Sequence, residues 1–339
     1  MIDAGARDRA AGFLAAFAEA GAVPVRPPIL LDAGPLLDLY GEEVRARAFV
    51  THDPLRGEAM LRPDLTVPVV MAHRGTGPAR YAYAGEVFRL QEDAEARPRE
   101  YPQAGIELLG GPDPAAADAE AFDLIARALA PWGCVPATGD LGLLLAAVDA
   151  LDTTDGRRAA LRRHVPRPGR FRRLMARYTG AAPRPAPDLE TDAPLVGLRA
   201  ATEVAEREAA LAEDAAAPPL AAAQARAIAA LLDMECAMAA APLRALVADL
   251  PGLAPAVDAF EARRDALAAR GHDPATLPFA PARGRGAMEY YDGFTFTFRA
   301  GSETVAMGGR YDALTAALLG RAIPAVGATI RPGLLGDAP

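Results

Sequence analysis

Alternation of apolar and polar residues, the pattern of a half-buried β-strand, is concentrated in two distant parts of this chain. The first part runs from Leu61 to Gly111, and the second runs from about residue 287 to residue 335. Between them, from Asp113 to about Phe279, Ala-rich helical patterns predominate. Since strands that are distant in sequence must meet in one sheet to bury their apolar faces, the sequence predicts an α+β fold, in which an antiparallel sheet carries a helical insertion.

Composition and charge exclude several classes of protein. The 339 residues are 51% hydrophobic and 24% charged, so the chain can bury a sizeable core. The net charge of -8 argues against broad electrostatic binding of nucleic acid, which needs a basic surface. The N-terminus has acidic residues and a helical period in place of a signal peptide, and no apolar stretch approaches the length of a membrane span. We therefore expect a cytoplasmic protein that binds neither nucleic acid nor a membrane.

Cysteine and histidine residues show no spacing that is typical of metal ligands. Cys134 and Cys236 stand far apart, which also favours a reducing compartment over a disulfide framework. The histidines are scattered in the same way: His52, His73, His164 and His272. We expect no metal and no cofactor.

The first β-rich part has a recognisable order of elements. A helix is predicted from residue 7 to about residue 20, and AFVTHD and AMLRPD are predicted to pair as a hairpin. VPVVMAHRG is typical of a helix with Pro68 in its first turn. ARYAYAGEVFRLQ and YPQAGIELLGG then predict long antiparallel strands, joined by the charged loop EDAEARPRE. A loop of this composition suits a flap over an anion or a zwitterion.

The second β-rich part begins after the helical insertion. FTFTF alternates strictly and RAGSE is typical of a turn, so two paired strands are expected. GGRYD is predicted to start a helix that continues through LTAALLG. IPAVGATIRPGLL predicts a buried strand followed by a short turn.

These motifs together resemble the class II histidyl-tRNA synthetase catalytic core. The match is carried by LRPDLT, FRLQ, YPQAGIE, EYYDGFTF, GGRYDALTAALL and IPAVG, in the same order, over about residues 10 to 335. The resemblance implies a single class II synthetase-like domain over residues 1–339. Its sheet segments are expected at about 22–112 and 280–335, its helical insertion at about 140–275, and no anticodon-binding domain is expected.

The resemblance also implies a histidine pocket. The positions that would hold the ammonium group are Asp64, Thr66 and Gln103, which can all accept hydrogen bonds from a cation. Glu107 and Tyr291, with Tyr290 beside it, fall where the family grips the imidazole. Asp64 replaces the usual glutamate, so its reach is one methylene shorter.

The groups that bind ATP in the family are largely replaced. Arg89 is kept at the α-phosphate position, and we count it with the histidine-binding residues, but Gln91 stands where the family has an acid. Gly286 stands at the position of an adenylation arginine, with Arg285 one position away. Gly333 matches the arginine that clamps the γ-phosphate, and Pro332 interrupts that helix. Loss of a fixed guanidinium at a phosphate removes charge stabilisation that neighbours do not easily replace.

A histidine-binding core with these replacements resembles the regulatory subunit of ATP phosphoribosyltransferase. The resemblance implies a chain without catalytic activity that activates a short-form catalytic subunit. It would also confer histidine feedback on the first step of L-histidine biosynthesis. A homodimeric core, assembled with catalytic subunits into a hetero-octamer, is expected from the family.

Two alternatives remain open at this point. An amino-acid-activating enzyme that acts on a substrate other than tRNA would need Arg285 or Arg331 to replace the missing groups. A synthetase-like binding or scaffold protein would have a different partner.

Overall fold

The structure, a computed structural model, describes residues 4–40, 44–45, 48–90, 98–183, 200–283 and 290–336. The helices are α1 (Ala4–Glu19), α2 (Ala33–Tyr40), α3 (Thr66–Ala72), α4 (Pro114–Leu129), α5 (Leu141–Asp149), α6 (Asp155–His164), α7 (Pro168–Tyr178), α8 (Ala201–Ala216), α9 (Ala222–Asp233), α10 (Ala241–Leu246), α11 (Ala254–Ala269) and α12 (Asp312–Leu319). The strands are β1 (Val23–Pro24), β2 (Leu30–Asp32), β3 (Val50–Asp53), β4 (Gly57–Leu61), β5 (Ala79–Phe88), β6 (Glu100–Leu109), β7 (Val135–Asp140), β8 (Cys236–Ala237), β9 (Pro278–Phe279), β10 (Phe294–Ala300), β11 (Glu303–Arg310) and β12 (Ala325–Ile330).

The strands form two sheets. Among the described residues, the main sheet has nine strands in the order β1-β5-β6-β12-β11-β10-β7-β9-β8, and the smaller sheet has the order β2-β4-β3. Neighbours are antiparallel except in the pairs β1–β5 and β7–β9. The predicted long strands pair as β5 and β6, from Ala79 opposite Leu109 to Phe88 opposite Glu100. The predicted α+β class is confirmed.

The two faces of the main sheet pack against different elements: α1 and α4 cover one face, and α3 packs against the other. Along β6, Ile106 and Leu108 point into a core that also contains Phe17 of α1 and Phe122 of α4. Successive side chains of a strand point to opposite faces. Gln103 and Glu107 therefore lie on the face away from α1 and α4.

One prediction about the sheet was wrong. The segments 22–112 and 280–335 were expected to supply its strands, but β7 lies outside both segments and pairs with β10 along its whole length. β8 also lies in the part that was expected to be helical. The sequence of β7, VPATGD, contains Pro and Gly and shows no strand period, so only its tertiary pairing makes it a strand. The helical part of the chain therefore connects strands of one sheet, β7 before it and β9 to β12 after it, and it contains the short strand β8.

The helix that was predicted to start at GGRYD starts later. Gly308 and Gly309 belong to β11, and the helix begins at Asp312. The strand needs a glycine here because a Cβ on Gly308 would lie 2.5 Å from the Phe296 ring and 2.7 Å from the Gly327 carbonyl oxygen. Close packing between strands, and not a helix start, explains this glycine.

Candidate functional site

The face of the sheet that packs against α3 carries acidic and phenolic side chains that are brought together by strand pairing. On β6, Glu107 lies opposite Tyr81 of β5 and opposite Gly327 of β12. Two residues earlier, Gly105 lies opposite Tyr83 of β5. The register therefore places the phenol of Tyr83 beside the carboxylate of Glu107.

Glu107 is fully buried, and both of its oxygens accept hydrogen bonds from phenols. The Tyr83 hydroxyl donates to Oε1 at 2.9 Å, and the Tyr311 hydroxyl donates to Oε2. The Tyr83 hydroxyl also lies 3.1 Å from Thr329 Oγ1. Burial raises the pKa of Glu107 to about 7, although the hydroxyl hydrogen bonds oppose that rise. Glu107 is thus a proton acceptor or donor near neutral pH.

The space for the Glu107 carboxylate is created by Gly327. A Cβ at this position would lie 1.6 Å from Glu107 Oε2 and 2.7 Å from the Ile106 carbonyl oxygen. Any larger residue would therefore displace the carboxylate from its place between the phenols.

Asp64 is a second buried acid on this face, and it lies just before α3. Its Oδ1 accepts a hydrogen bond from the Val67 backbone N–H at 2.8 Å, which helps to hold the start of the helix. Its Oδ2 is buried without a hydrogen-bond partner among the described residues. Burial raises the pKa of Asp64, while the Val67 N–H and the charge of Arg89 act in the opposite direction. A cationic hydrogen-bond donor on a bound ligand would satisfy this buried oxygen.

Three further predicted residues surround Asp64. The Nε of Arg89 donates to the Pro63 carbonyl oxygen at 2.6 Å, so the guanidinium is anchored next to Asp64. The hydroxyl of Tyr290 lies 3.5 Å from Thr66 Oγ1, and the rings of Tyr290 and Tyr291 are 4.9 Å apart.

A cavity of about 20 Å³ lies between these groups. This volume is roughly that of one water molecule, so an amino acid requires the side chains to move apart. The cavity is lined by Asp64, Arg89, Gln103, Tyr290, Tyr291, Met307, Thr329 and Arg331.

The structure brings the predicted histidine-binding residues into one region. Asp64, Arg89, Gln103, Tyr290 and Tyr291 line the cavity, Thr66 adjoins it through Tyr290, and Glu107 lies behind it under the phenols. Their predicted roles remain predictions.

Sequence reasoning missed Tyr83, Tyr311 and Thr329 as members of this site, and it did not assign Arg331 to the amino acid. Period-two spacing on β5 was the signal for Tyr83, because its side chain shares a face with Tyr81. Thr329 is likewise two residues from Gly327 on β12. Tyr311 lies between β11 and α12 and is placed only by tertiary folding.

The predicted losses in the ATP half are only partly described. Gln91, Arg285 and Gly286, as well as residues 92–97 of the charged loop EDAEARPRE, lie outside the described residues. Gly333 lies in a 3₁₀ turn, Pro332–Leu334, directly after Arg331.

Two larger cavities lie elsewhere among the described residues, and one of about 400 Å³ is lined by Arg172, Asp233, Glu235 and Arg283 together with apolar residues. The other, of about 280 Å³, lies against the first turns of α4 and is lined mainly by apolar groups, and none of the predicted site residues lines it. Within the described ranges, no group of three or more His, Cys, Asp or Glu residues is placed to hold a metal ion. In the same part of the chain, no helix is long and apolar enough to cross a membrane.

Comparisons with known proteins agree with this fold. A family model described as histidyl-tRNA synthetase matches residues 5–334. A curated protein from Brucella ovis, named ATP phosphoribosyltransferase regulatory subunit, is 34% identical over 345 residues, which is 90% of each chain. A protein of the same name from Brucella canis is 33% identical over 345 residues, again 90% of each chain.

Solved structures show the same architecture. A Bacillus halodurans protein, titled ATP phosphoribosyltransferase regulatory subunit/histidyl-tRNA synthetase, has a TM-score of 0.69 and 19% identity, over 98% of this chain and 78% of that one. The histidyl-tRNA synthetase from Nostoc sp. PCC 7120 has a TM-score of 0.65 and 16% identity, over 96% of this chain and 69% of that one. At these identities the likeness shows the fold alone.

Proposed function

Because the chain belongs to the family of ATP phosphoribosyltransferase regulatory subunits, we propose that it activates a short-form catalytic subunit and makes that enzyme sensitive to L-histidine. The chain itself would be non-catalytic and would act in the first step of L-histidine biosynthesis. Its effector would bind in the cavity between Asp64 and Tyr291.

The observation that carries the histidine part of this proposal is the state of Glu107. Its carboxylate is fully buried, has a pKa of about 7, and accepts from the phenols of Tyr83 and Tyr311. An imidazole has one nitrogen that donates and one that accepts when it is neutral, and it titrates in the same pH range. A carboxylate among phenols offers both kinds of partner to that ring.

Feedback then needs a difference in affinity between two states of the assembly, since a ligand shifts an equilibrium by no more than that difference. The cavity of about 20 Å³ describes a closed state. Histidine would select a state in which the phenols have moved away from Glu107, and the catalytic partner would respond to that movement.

The smaller sheet supports the expected homodimer. Large apolar side chains on or next to its strands are exposed on one chain: Leu30 (45%) and Val50 (43%) on the strands, Ile29 (48%) just before β2 and Leu55 (95%) in the turn between β3 and β4. Exposed apolar surface marks protein interfaces. We propose that a second copy covers them, and that the dimer assembles with catalytic subunits into the hetero-octamer.

The test combines the purified chain with a short-form catalytic subunit and measures ATP phosphoribosyltransferase activity with and without L-histidine. We expect stimulation by the wild-type chain and inhibition of the complex by histidine. Glu107→Gln should still copurify with the catalytic subunit but should bind histidine at least about 100-fold more weakly in calorimetric titration, because a charged hydrogen bond in a buried site is lost. Absence of stimulation at any stoichiometry would contradict the regulatory role.

An amino-acid-activating enzyme is the second candidate, favoured by one observation. Arg331 lines the same cavity as Arg89, and two guanidinium groups are the kind of pair that binds a phosphate. Histidine-dependent exchange of pyrophosphate into ATP by the purified chain would decide for this candidate.

A further inference from the structure

The residue that follows the two cavity tyrosines contacts α12. Tyr290 and Tyr291 line the cavity, and the next residue is Asp292. The carboxylate oxygens of Asp292 accept hydrogen bonds from the backbone N–H groups of Asp312 at 3.1 Å and of Ala313 at 2.5 Å. These two groups belong to the first turn of α12, where backbone N–H groups have no acceptor within the helix. Asp292 therefore caps a helix that begins 20 residues further along the chain.

The helix α12 has no side-chain cap of its own. The residue before it, Tyr311, makes no capping hydrogen bond, and its hydroxyl donates instead to Glu107. Asp292 supplies the missing acceptors, and its negative charge at this end of the helix is also favoured by the helix dipole. One carboxylate thus joins the segment that carries Tyr290 and Tyr291 to the helix that follows Tyr311.

Backbone contacts hold the same segment against the end of β11. The Asp292 N–H donates to the Arg310 carbonyl oxygen at 3.0 Å. Gly293 lies on the stem of the Arg310 side chain, since a Cβ at Gly293 would lie 3.0 Å from Arg310 Cδ. The ring of Tyr291 lies over Gly309, where a Cβ would be 2.8 Å from Tyr291 Cδ1. Of these contacts, those of the Asp292 side chain involve a group that can change its charge.

The charge of Asp292 changes in a range close to neutral pH. Burial raises the pKa of Asp292 to about 6, and the nearby negative charge of Asp312 acts in the same direction, while the Ala313 N–H and the Arg310 charge oppose the rise. Above this pH the carboxylate accepts both hydrogen bonds, and below it one oxygen carries a proton and is a poorer acceptor. The charged groups packed around this residue are Asp312 of α12, Arg310 of β11 and, at the start of α5, Asp140 with its partner Arg263.

We propose that Asp292 is a positioning residue for the effector pocket, and that its ionised carboxylate fixes Tyr290 and Tyr291 at the cavity by joining their segment to α12. This inference rests on the proposed function, because it assumes that the cavity takes histidine. The cavity of about 20 Å³ must widen for an amino acid, so side chains around it move. An anchor outside the cavity keeps the backbone of the two tyrosines in place during that movement. The affinity for histidine then depends on a group that does not touch the ligand.

Asp292→Asn tests the charge, because asparagine has nearly the shape of a protonated aspartic acid and also offers one acceptor oxygen. Calorimetric titrations with L-histidine compare the wild-type chain and the variant at pH 8 and at pH 5. The variant should bind about 10-fold more weakly at pH 8, where a charged hydrogen bond is lost. At pH 5 the two affinities should be nearly equal, because the wild-type carboxyl is then neutral as well. Protonation of the ligand and of Glu107 affects both proteins and cancels in this ratio.

The matched control is Asp113→Asn. Asp113 is the exposed N-cap of α4 and accepts from the Ala116 N–H at 3.0 Å, so it has the same role at a helix that carries no pocket residue. This substitution should leave the histidine affinity unchanged at both pH values.

Amide hydrogen exchange tests the anchor without a ligand. Asp292→Ala removes both acceptors, so exchange at the Asp312 and Ala313 N–H groups should become about 10-fold faster or more. Asp113→Ala should leave the exchange of these two groups unchanged. Circular dichroism of each variant verifies that the fold is kept.

Several outcomes would overturn the positioning role. An equal loss of affinity in Asp292→Asn at pH 8 and pH 5 would show that Asp292 only supports the shape of the segment. Unchanged affinity at pH 8 would show that Tyr290 and Tyr291 are fixed without its charge. Unchanged exchange in Asp292→Ala would remove the anchor itself. If the wild-type chain bound no histidine, the proposed function would fail and the positioning role with it, whereas these results in the variants overturn the positioning role alone, so the two failures are distinguishable.

Discussion

The two acids of the pocket and two acids beside α11 are buried to the same depth, but they face different surroundings. Asp118 and Asp140 are 1% and 3% exposed, and Arg263 bridges them with distances of 2.8 Å and 2.6 Å. Asp118 also accepts from Arg310 at 2.7 Å. We call these four residues the arginine-paired cluster.

The pocket acids have no comparable pairing. Asp64 is 4% exposed and Glu107 is 0% exposed. Glu107 accepts only from hydroxyl groups among the hydrogen bonds of the described residues, and Asp64 has one oxygen without a partner there. Burial consequently raises the pKa of both.

The difference separates acids that stabilise the fold from acids that we propose bind a ligand. In the arginine-paired cluster, the counter-ions are built into α11 and β11, so the carboxylates stabilise the contact between the insertion and the sheet. In the pocket, Glu107 accepts from hydroxyl groups instead of guanidinium groups, and Asp64 keeps one oxygen without a partner among the described residues, which a ligand can supply. Buried carboxylates alone are therefore a weak indicator of a site, while their missing partners are a strong one.

The largest expected effect comes from breaking the arginine-paired cluster. Arg263→Met should lower the free energy of unfolding by about 3–5 kcal/mol, because Asp140 is left buried without its counter-ion. Urea denaturation followed by circular dichroism measures this change. Arg244→Met is the matched control. Arg244 of α10 pairs with Asp258 and Glu261 on the exposed side of α11, so the substitution should not measurably change the free energy of unfolding. Equal effects of the two substitutions would contradict the distinction between the buried arginine-paired cluster and the exposed ion pairs of Arg244.

Histidine affinity should respond to substitution of the pocket acids and not of the arginine-paired cluster. The stability of the fold should also depend on pH through the pocket acid Glu107. The pKa of Glu107 rises from 4.5 to about 7 on folding, so between these pH values the folded chain keeps a proton that the unfolded chain releases. The contribution of Glu107 to stability therefore falls as pH rises through this range, by at most about 3 kcal/mol, and is constant above it.

Glu107→Gln isolates this effect because glutamine does not titrate. The stability of the variant relative to the wild type should increase between pH 5 and pH 8 in urea denaturation. Glu261→Gln is the control, because the hydrogen bond from Arg244 lowers the pKa of Glu261 and so moves it away from the range in which Glu107 titrates. The same pH trend in both variants would remove Glu107 from the explanation.

The sequence predicted which residues lie together around the cavity better than it predicted the strands of the sheet. Asp64, Gln103 and Tyr291 lie in local motifs whose order the resemblance preserves, and each lines the cavity. β7 and Tyr311 were missed for a common physical reason. β7 is a strand only because β10 and β9 pair with it, and Tyr311 reaches Glu107 across 204 residues of sequence. Contacts that are made only in the folded chain leave no periodic signal.

The smallest expected effect concerns Asp64, which belongs to the pocket but also holds the start of α3. Asp64→Asn keeps an oxygen for the Val67 N–H and removes only the charge, so the fold should be unaffected. The affinity for L-histidine should fall about tenfold, or about 1.4 kcal/mol, because the ammonium group loses a carboxylate but keeps Gln103 and Thr66 as acceptors. Calorimetric titration measures this loss, and Asp113→Asn, a change at the exposed N-cap of α4, is the control. A tighter complex in Asp64→Asn would mean that Asp64 repels the ligand, and it would contradict the assignment of the ammonium group to Asp64.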